Sequence, residues 1–260
     1  MRQVKPKKAL GQHFLTDLSV AARIAATLDD YKGMPVLEVG PGMGVLTRFL
    51  LDNGHDVKVA EIDIESVEYL NVNFPDLEGR IIEGDFLQMR LDELYNGGDF
   101  CVIGNYPYNI SSQIFFKVLD YKDKVTCCSG MLQKEVAERL AAPPGTKTRG
   151  ILSVLLQAWY DVEYLFTVSE HVFNPPPKVK SGVVKLRRNN VTDLGCDERL
   201  FKTVVKTSFG QRRKTLRNSL RGLLPAEATI PDDPIFTRRP EQLSVEEFIS
   251  LTNLIASLRK

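Results

Sequence analysis

Apolar positions along this chain fall into two alternating kinds of segment. Short continuous runs occur at 34–39 (MPVLEV), 57–62 (VKVAEI), 80–85 (RIIEGD), 99–105 (DFCVIGN) and 125–132 (VTCCSGML). Their length and β-branched content read as strands buried on both faces. Stretches with helical spacing separate them: LTRFLLDNG after the first, residues 67–73 after the second, SQIFFKVL after the fourth and EVAERLAA after the fifth. A helix over 17–28 (DLSVAARIAATL) precedes them all, with Asp17 near its start. Alternation of this kind predicts a parallel sheet covered by helices on both faces.

The pattern then changes. Residues 142–150 (APPGTKTRG) form a loop by their Pro and Gly content, and 151–159 (ILSVLLQAW) a buried helix. Two further strands, 162–168 and 181–188, flank a stiff NPPP at 174–177. Beyond Arg188 only helices are predicted. One has Phe201, Val205 and Phe209 on a stripe. A second, RKTLRNSLRGLL, has Leu216, Leu220 and Leu223 on one stripe and Arg213, Arg217 and Arg221 on another. A third opens with a capping box, Ser244-x-x-Glu247. The expected fold class is α/β: a Rossmann-like domain at 1–190 and a small helical domain at 191–260, with the boundary near 189–195.

Composition adds limits. Apolar residues are 43% and charged residues 26% of the 260, which suits a globular chain. No apolar run approaches the ~18 residues that span a bilayer, so no membrane is expected. The start, MRQVKPKKALGQHF, is basic without an apolar stretch, so it does not read as a secretory signal, though part of a transit peptide stays open. Cys101, Cys127, Cys128 and Cys196 form no CxxC. They read as reduced thiols of a cytoplasmic protein, with neither a disulfide framework nor a metal site. The net charge of +1 is unevenly spread. Arg2, Lys5, Lys7 and Lys8 put +4 on residues 1–13, and 176–222 carries +10, leaving a body of −13. Two basic segments on an acidic body suggest a polyanion-binding face, with a solvated surface as the alternative.

Candidate chemistry gathers at strand ends. Gly40-Pro41-Gly42-Met43-Gly44 follows the first strand, where glycines let backbone approach a ligand beside a helix N-terminus. Glu61 ends the second strand and suits the two hydroxyls of a ribose. Asp63 beside it reads as a solvated acid. Loop and acid together indicate an adenosine-containing cofactor without separating a dinucleotide from S-adenosylmethionine. Asp85 ends the third strand, either as an acceptor for an adenine amine or as an Asx-turn residue. Asn105-Tyr106-Pro107-Tyr108 ends the fourth. The Asn oxygen and a backbone carbonyl beside Pro107 can take the two N–H bonds of an aromatic amine, and Tyr108 can stack on its ring. All four positions fall on one rim of a doubly wound sheet, where ligands bind.

The motifs GQHFL, EVGPGMG, Glu61, GDFL, NYPYN, MLQKE, VFNPPPKVKSGVV and FGQRRKTLRNSL stand in the order found in the KsgA family. The chain resembles these small-subunit rRNA adenine N6,N6-dimethyltransferases from about Lys7 to Gly222. The resemblance implies S-adenosylmethionine as cofactor, held by His13, Leu15, Gly40, Gly42, Glu61, Asp85, Phe86 and Asn105. It implies Asn105, Pro107, Tyr108 and Phe173 as the target-adenine site, with Tyr108 and Phe173 sandwiching the base. The Arg212, Arg213, Lys214, Arg217 cluster is expected to meet RNA phosphates, and a monomer acting on the small ribosomal subunit is expected. Two departures stand out. His13 replaces an Asn common in the family, and Tyr106 replaces Leu or Ile, which would alter the wall of the target pocket. The large-subunit resistance methyltransferases share the N-terminal motifs but not PPPKV or QRRKTLRNSL. A non-catalytic ribosome-assembly factor on the same fold is a further alternative, and an oxidoreductase would leave NYPYN and the basic helices unexplained.

Overall fold

Each of the five apolar runs becomes a strand, and the order in which they pair sets where a ligand can lie. The computed structural model describes residues 4–259. Its strands are β1 (Phe14–Leu15), β2 (Val36–Val39), β3 (Val57–Glu61), β4 (Ile81–Glu83), β5 (Phe100–Asn105), β6 (Val125–Gln133), β7 (Tyr160–Val168), β8 (Phe173–Asn174) and β9 (Ser181–Arg188). Seven of them form one sheet in the order β4-β3-β2-β5-β6-β9-β7. The pairs from β4 to β6 are parallel, and β9 runs antiparallel to β6. Strand order reverses between β2 and β5, which opens a crevice at their carboxyl ends. The two short strands β1 and β8 pair separately, Phe14 with Asn174 and Leu15 with Phe173.

The helices are α1 (Leu18–Ala25), α2 (Val45–Asp52), α3 (Ile64–Asn73), α4 (Ser111–Asp120), α5 (Lys134–Ala141), α6 (Ile151–Gln157), α7 (Glu198–Gly210), α8 (Leu216–Ser219) and α9 (Val245–Leu258). Their starts follow the sequence. Asp17 Oδ1 accepts from the Ser19 and Val20 amides at 2.8 and 3.3 Å, and Asp197 Oδ1 accepts from Leu200 at 2.6 Å. Ser244 and Glu247 form the expected reciprocal box, at 3.2 and 2.8 Å. Ile24, Leu50, Val59, Leu70, Ile103 and Met131 are among the buried residues that knit α1, α2 and α3 to the sheet. Cys101, Cys127 and Cys128 are buried free thiols.

Two compact units result. One is the described chain up to Ala137 together with Val162–Arg188, and it contains the strand-end crevice. The other is Glu138–Asp161 with the chain from Asn189 onward. The division is thus not a single cut near 190, because α6 groups with the C-terminal helices. Phe201, Val204, Val205, Leu216, Leu220, Phe236, Phe248, Leu251 and Ile255 are buried in this second unit. Arg149 is fully buried there and donates to the carbonyls of Leu243 and Ala142 and to Gln157.

The long helix expected over 213–224 does not form. Only α8 and a 3-10 turn at Arg221–Leu223 are helical. Thr215 is extended, and the Leu216 amide donates to the Arg238 carbonyl at 2.9 Å. A tertiary bond therefore takes the donor that a continuous helix would have used.

Candidate active site at the strand ends

One cleft collects the four strand ends. Gly40–Gly44 follow β2, Glu61 ends β3, Gly84 and Asp85 follow β4, and Asn105 ends β5; all of these but Gly44 line the cleft. Residues 10–15 and 106–110 supply further walls. Gly44 caps α2 in a left-handed conformation (φ 75°), and a Cβ there would lie 2.3 Å from the Phe74 ring. The glycine thus lets the turn pack tightly against α3's end.

The loop is tied to the acid that faces it. Glu61 is 4% exposed; Oε2 accepts from the Gly42 amide at 3.0 Å and Oε1 from the Asp63 amide at 2.9 Å. Burial raises its pKa, and these amides oppose the rise. Each oxygen keeps a second lone pair for a ligand hydroxyl. Glu38 lies beneath, accepts from the Thr47 hydroxyl at 2.6 Å, and is pushed up to about 8 by burial. Glu38 therefore holds its proton at neutral pH.

Asp85 is an Asx-turn residue. Its Oδ1 accepts from Leu87 at 2.9 Å and caps a 3-10 turn at Phe86–Gln88. Its other oxygen makes no hydrogen bond among the described residues, so it can also accept from a ligand. Phe86 is 4% exposed and forms part of the same wall.

Asn105 is oriented by the chain's N-terminal segment. Nδ2 donates to the His13 carbonyl at 3.1 Å, leaving Oδ1 without a partner among the described residues. Pro107 lines the cleft, and its own carbonyl accepts from Ile110 at 3.2 Å. The Tyr108 hydroxyl bonds Ser181 Oγ at 2.5 Å, and its ring centroid is 5.4 Å from that of His13. His13 Nδ1 bonds the Pro175 carbonyl at 2.8 Å. Leu15 also lines the cleft. Phe173 does not: it is 4% exposed and packs in the core cluster that includes Leu15. The structure thus brings His13, not Phe173, to the face of Tyr108.

Two further expectations change. The Tyr106 ring turns into the core, where its hydroxyl donates to the Ser129 carbonyl at 2.7 Å. Gly104 and Gly130, paired across β5 and β6, make room for it; a Cβ at either would fall 3.0 or 2.6 Å from that ring. Asp63 is no solvated acid. It is 2% exposed and receives Lys7 Nζ at 2.5 Å and Gln12 Nε2 at 3.1 Å. Burial drives its pKa up, and bonds from Lys7, Gln12 and the Glu65 amide outweigh that, so the net shift is down. With Thr16 bonded to the Val172 carbonyl and β1 paired to β8, these contacts strap residues 7–16 along the cleft. Nothing local in the sequence signals this arrangement.

The basic segment is less free than its charge suggests. Lys185 bonds Asp30 at 3.1 Å, and Arg187 bonds Glu163 at 3.1 Å. Arg217 donates to the carbonyls of Ile230 and Pro231, Arg221 to those of Ala226 and Ala228, and Arg212 to that of Lys147. Arg213 and Lys214 are exposed and make no side-chain hydrogen bond or ion pair among the described residues. Arg2 lies outside the described residues. Among the described residues, no cluster of three His, Cys, Asp or Glu side chains suits a metal, and no helix is long and apolar enough to cross a membrane.

Residues 3–257 match the profile of a family described as ribosomal RNA adenine dimethylase. A Parabacteroides distasonis protein named ribosomal RNA small subunit methyltransferase A is 73% identical over 97% of this chain and 94% of its own length. A protein of the same name from Porphyromonas gingivalis is 66% identical over 98% and 99%. Among solved structures, a dimethyladenosine transferase from Plasmodium falciparum shares the fold with a TM-score of 0.77, at 23% identity over 94% of this chain and 98% of that one. The 23S rRNA methyltransferase ErmE aligns with a TM-score of 0.68, at 25% identity over 92% and 99%. The order of motifs, the sheet that carries them and the near-complete match to these relatives converge: the chain belongs to the ribosomal RNA adenine dimethylase family.

Proposed function

We propose that this protein uses S-adenosylmethionine to place two methyl groups on N6 of each of two adjacent adenosines near the 3′ end of small-subunit (16S) rRNA, as a step in small-subunit maturation. The observation that carries the reading is Asn105. Its amide nitrogen is held by the His13 carbonyl, its oxygen has no partner among the described residues, and the residue lines the same cleft as the glycine loop, Glu61 and Asp85.

The residues present fit the cofactor. Glu61 offers two buried oxygens to a ribose, Asp85 a free oxygen to an exocyclic amine, and the Gly40–Gly42 backbone a close surface for the methionine part. His13, Leu15, Phe86 and Asn105 complete the contact set. Bound there, S-adenosylmethionine supplies an electrophilic methyl group on a sulfonium.

The chain's own work at the target is positional. The lone pair of adenine N6 is delocalised into the ring, so the amine is a weak nucleophile. Asn105 Oδ1 accepts one N–H and turns the lone pair toward the methyl donor. N6-methyladenosine, the substrate of the second transfer, has one N–H left, so a single good acceptor must suffice. The proton passes to solvent. Pro107 stiffens the turn, and Tyr108, anchored by Ser181, offers a face on which an unstacked base can lie. A role for Phe173 as the second aromatic requires β8 to shift, since its ring lies in the core. Arg213 and Lys214 contact RNA phosphates, while Arg212 and Arg217 also hold the second unit together. The first compact unit is read as the methyltransferase domain, and the second, Glu138–Asp161 with the chain from Asn189 onward, as the ribosome-engaging helical domain. The protein acts as a cytoplasmic monomer, without a metal.

The test is methyl transfer from labelled S-adenosylmethionine to under-methylated small subunits, beside large subunits, with the labelled nucleosides identified. N6,N6-dimethyladenosine on the small subunit is expected. Label on the large subunit would move the chain to the resistance type. No label, with cofactor and particle binding intact, would leave an assembly factor.

A further inference from the structure

The turn that carries Asp85 and Phe86 is held at both ends. At its start, Asp85 takes the Leu87 amide at 2.9 Å. At its end, Lys117 Nζ reaches in from α4 and donates to the carbonyls of Leu87 and Met89, at 2.9 and 2.5 Å. The ammonium lies 5.6 Å from the Phe86 ring centroid and 5.5 Å from that of Tyr121. Lys117 is half-buried. Burial draws its pKa down, and the charges of Asp85 and Asp120 resist this. A lysine on a solvated helix face would leave its head in water. This one makes two charge-assisted bonds to backbone and borders two rings.

We propose that Lys117 is a positioning residue for the cofactor's adenine, clamping residues 85–89 so that Asp85 and Phe86 keep a fixed place on the cleft wall, one strand end along from Glu61. The proposal rests on the reading of the cleft as an S-adenosylmethionine site. Its physical basis is that a recognition group works only when its support is locked, and a displacement of about 1 Å is enough to lose the bond. The clamp has a second anchor. Helix α4 begins at Ser111, a few residues after Asn105. The helix that holds the adenine wall therefore also follows directly on the target-amine turn.

The experiment measures binding of S-adenosylhomocysteine and S-inosylhomocysteine to the full chain by calorimetry. The second probe carries an oxygen where the first carries the adenine amine, so an acceptor at Asp85 separates them. Wild type, Lys117→Met and Lys117→Arg are compared, with Tm recorded for each. Wild type is expected to prefer S-adenosylhomocysteine. Lys117→Met should weaken that ligand about tenfold, or about 1.4 kcal/mol, and weaken S-inosylhomocysteine less, so the preference shrinks. Lys117→Arg should restore most of it. A role confined to stability would lower Tm and weaken both ligands equally, and an unchanged preference overturns the proposal. So does unchanged S-adenosylhomocysteine affinity in Lys117→Met. Should Lys117→Met fail to fold, Lys117→Arg against Lys117→Gln carries the same comparison. If wild type binds neither probe, the cofactor reading falls and the clamp with it; intact wild-type binding with no effect at Lys117 removes the clamp alone.

Discussion

At Asn105 the amide nitrogen is committed to the His13 carbonyl, so only the oxygen remains for chemistry. Asn105→Ala should lower methyl transfer about 10²–10³-fold, the range for losing one oriented polar group at a reacting centre. Its S-adenosylmethionine affinity should change far less, which single-turnover rates and calorimetry on the same protein will separate. Asn105→Asp keeps an acceptor but sets a carboxylate against the His13 carbonyl, and should fall between. Two other side chains set how stability varies with pH. The fold favours the protonated form of Glu38, whose pKa stands at about 8 against an ordinary value of 4.5. Its contribution is complete below about 4.5 and is lost as pH rises through about 8. His55 is buried with neither ring nitrogen bonded among the described residues, and burial lowers its pKa. Its contribution is lost as pH falls below about 6.5. Urea midpoints of Glu38→Gln should decline less than those of wild type between pH 6 and 8.5. A parallel decline would show that Glu38 is not the group responsible.

Among the elements, the β5–β6 pair shows how core packing reaches the site. Gly104 and Gly130 face each other and leave space for the Tyr106 ring, which sits between Asn105 and Pro107 in sequence. Gly130→Ala would put a Cβ 2.3 Å from the Gly104 carbonyl in a conformation with φ 152°. It should destabilise the protein by about 3 kcal/mol, the upper range for overpacking, and lower activity beyond what reduced folding explains. Thermal melts beside specific activity of the folded fraction will check both. The basic segment behaves differently from its composition. Arg213→Gln with Lys214→Gln should weaken particle binding and reduce its salt slope by about 2. Arg217→Gln should mainly loosen residues 230–232, lowering Tm with a smaller change in slope. The seven strands of the large sheet, their order along the chain and the helix caps at Asp17 and Ser244 were legible because each rests on local pattern, whereas the short β1 and β8 were not. The break at Thr215 was not, because the bond that stops the helix comes from Arg238.

For the molecule as a whole, placing ligand-competent residues at successive strand ends was enough to locate the cleft, since a doubly wound sheet gathers those ends on one rim. Contacts between distant segments were hidden. Asp63 looked solvated because Lys7 and Gln12, which cover it, lie 56 and 51 positions away. Phe173 carried a family role, and only the pairing of β1 with β8 shows its ring against Leu15. That same pairing has a kinetic meaning. The wall formed by residues 10–15 does not belong to the large sheet; a two-residue ladder and a few side-chain bonds hold it. Such a segment can detach at a small fraction of the cost of global unfolding. Amides of Leu15 and Thr16 should accordingly exchange with deuterium far sooner than those of β5. A product cofactor must leave the cleft after every methyl group, so each round of transfer would have its own opening, and the enzyme's tempo would be set at residues 10–16 instead of at Asn105.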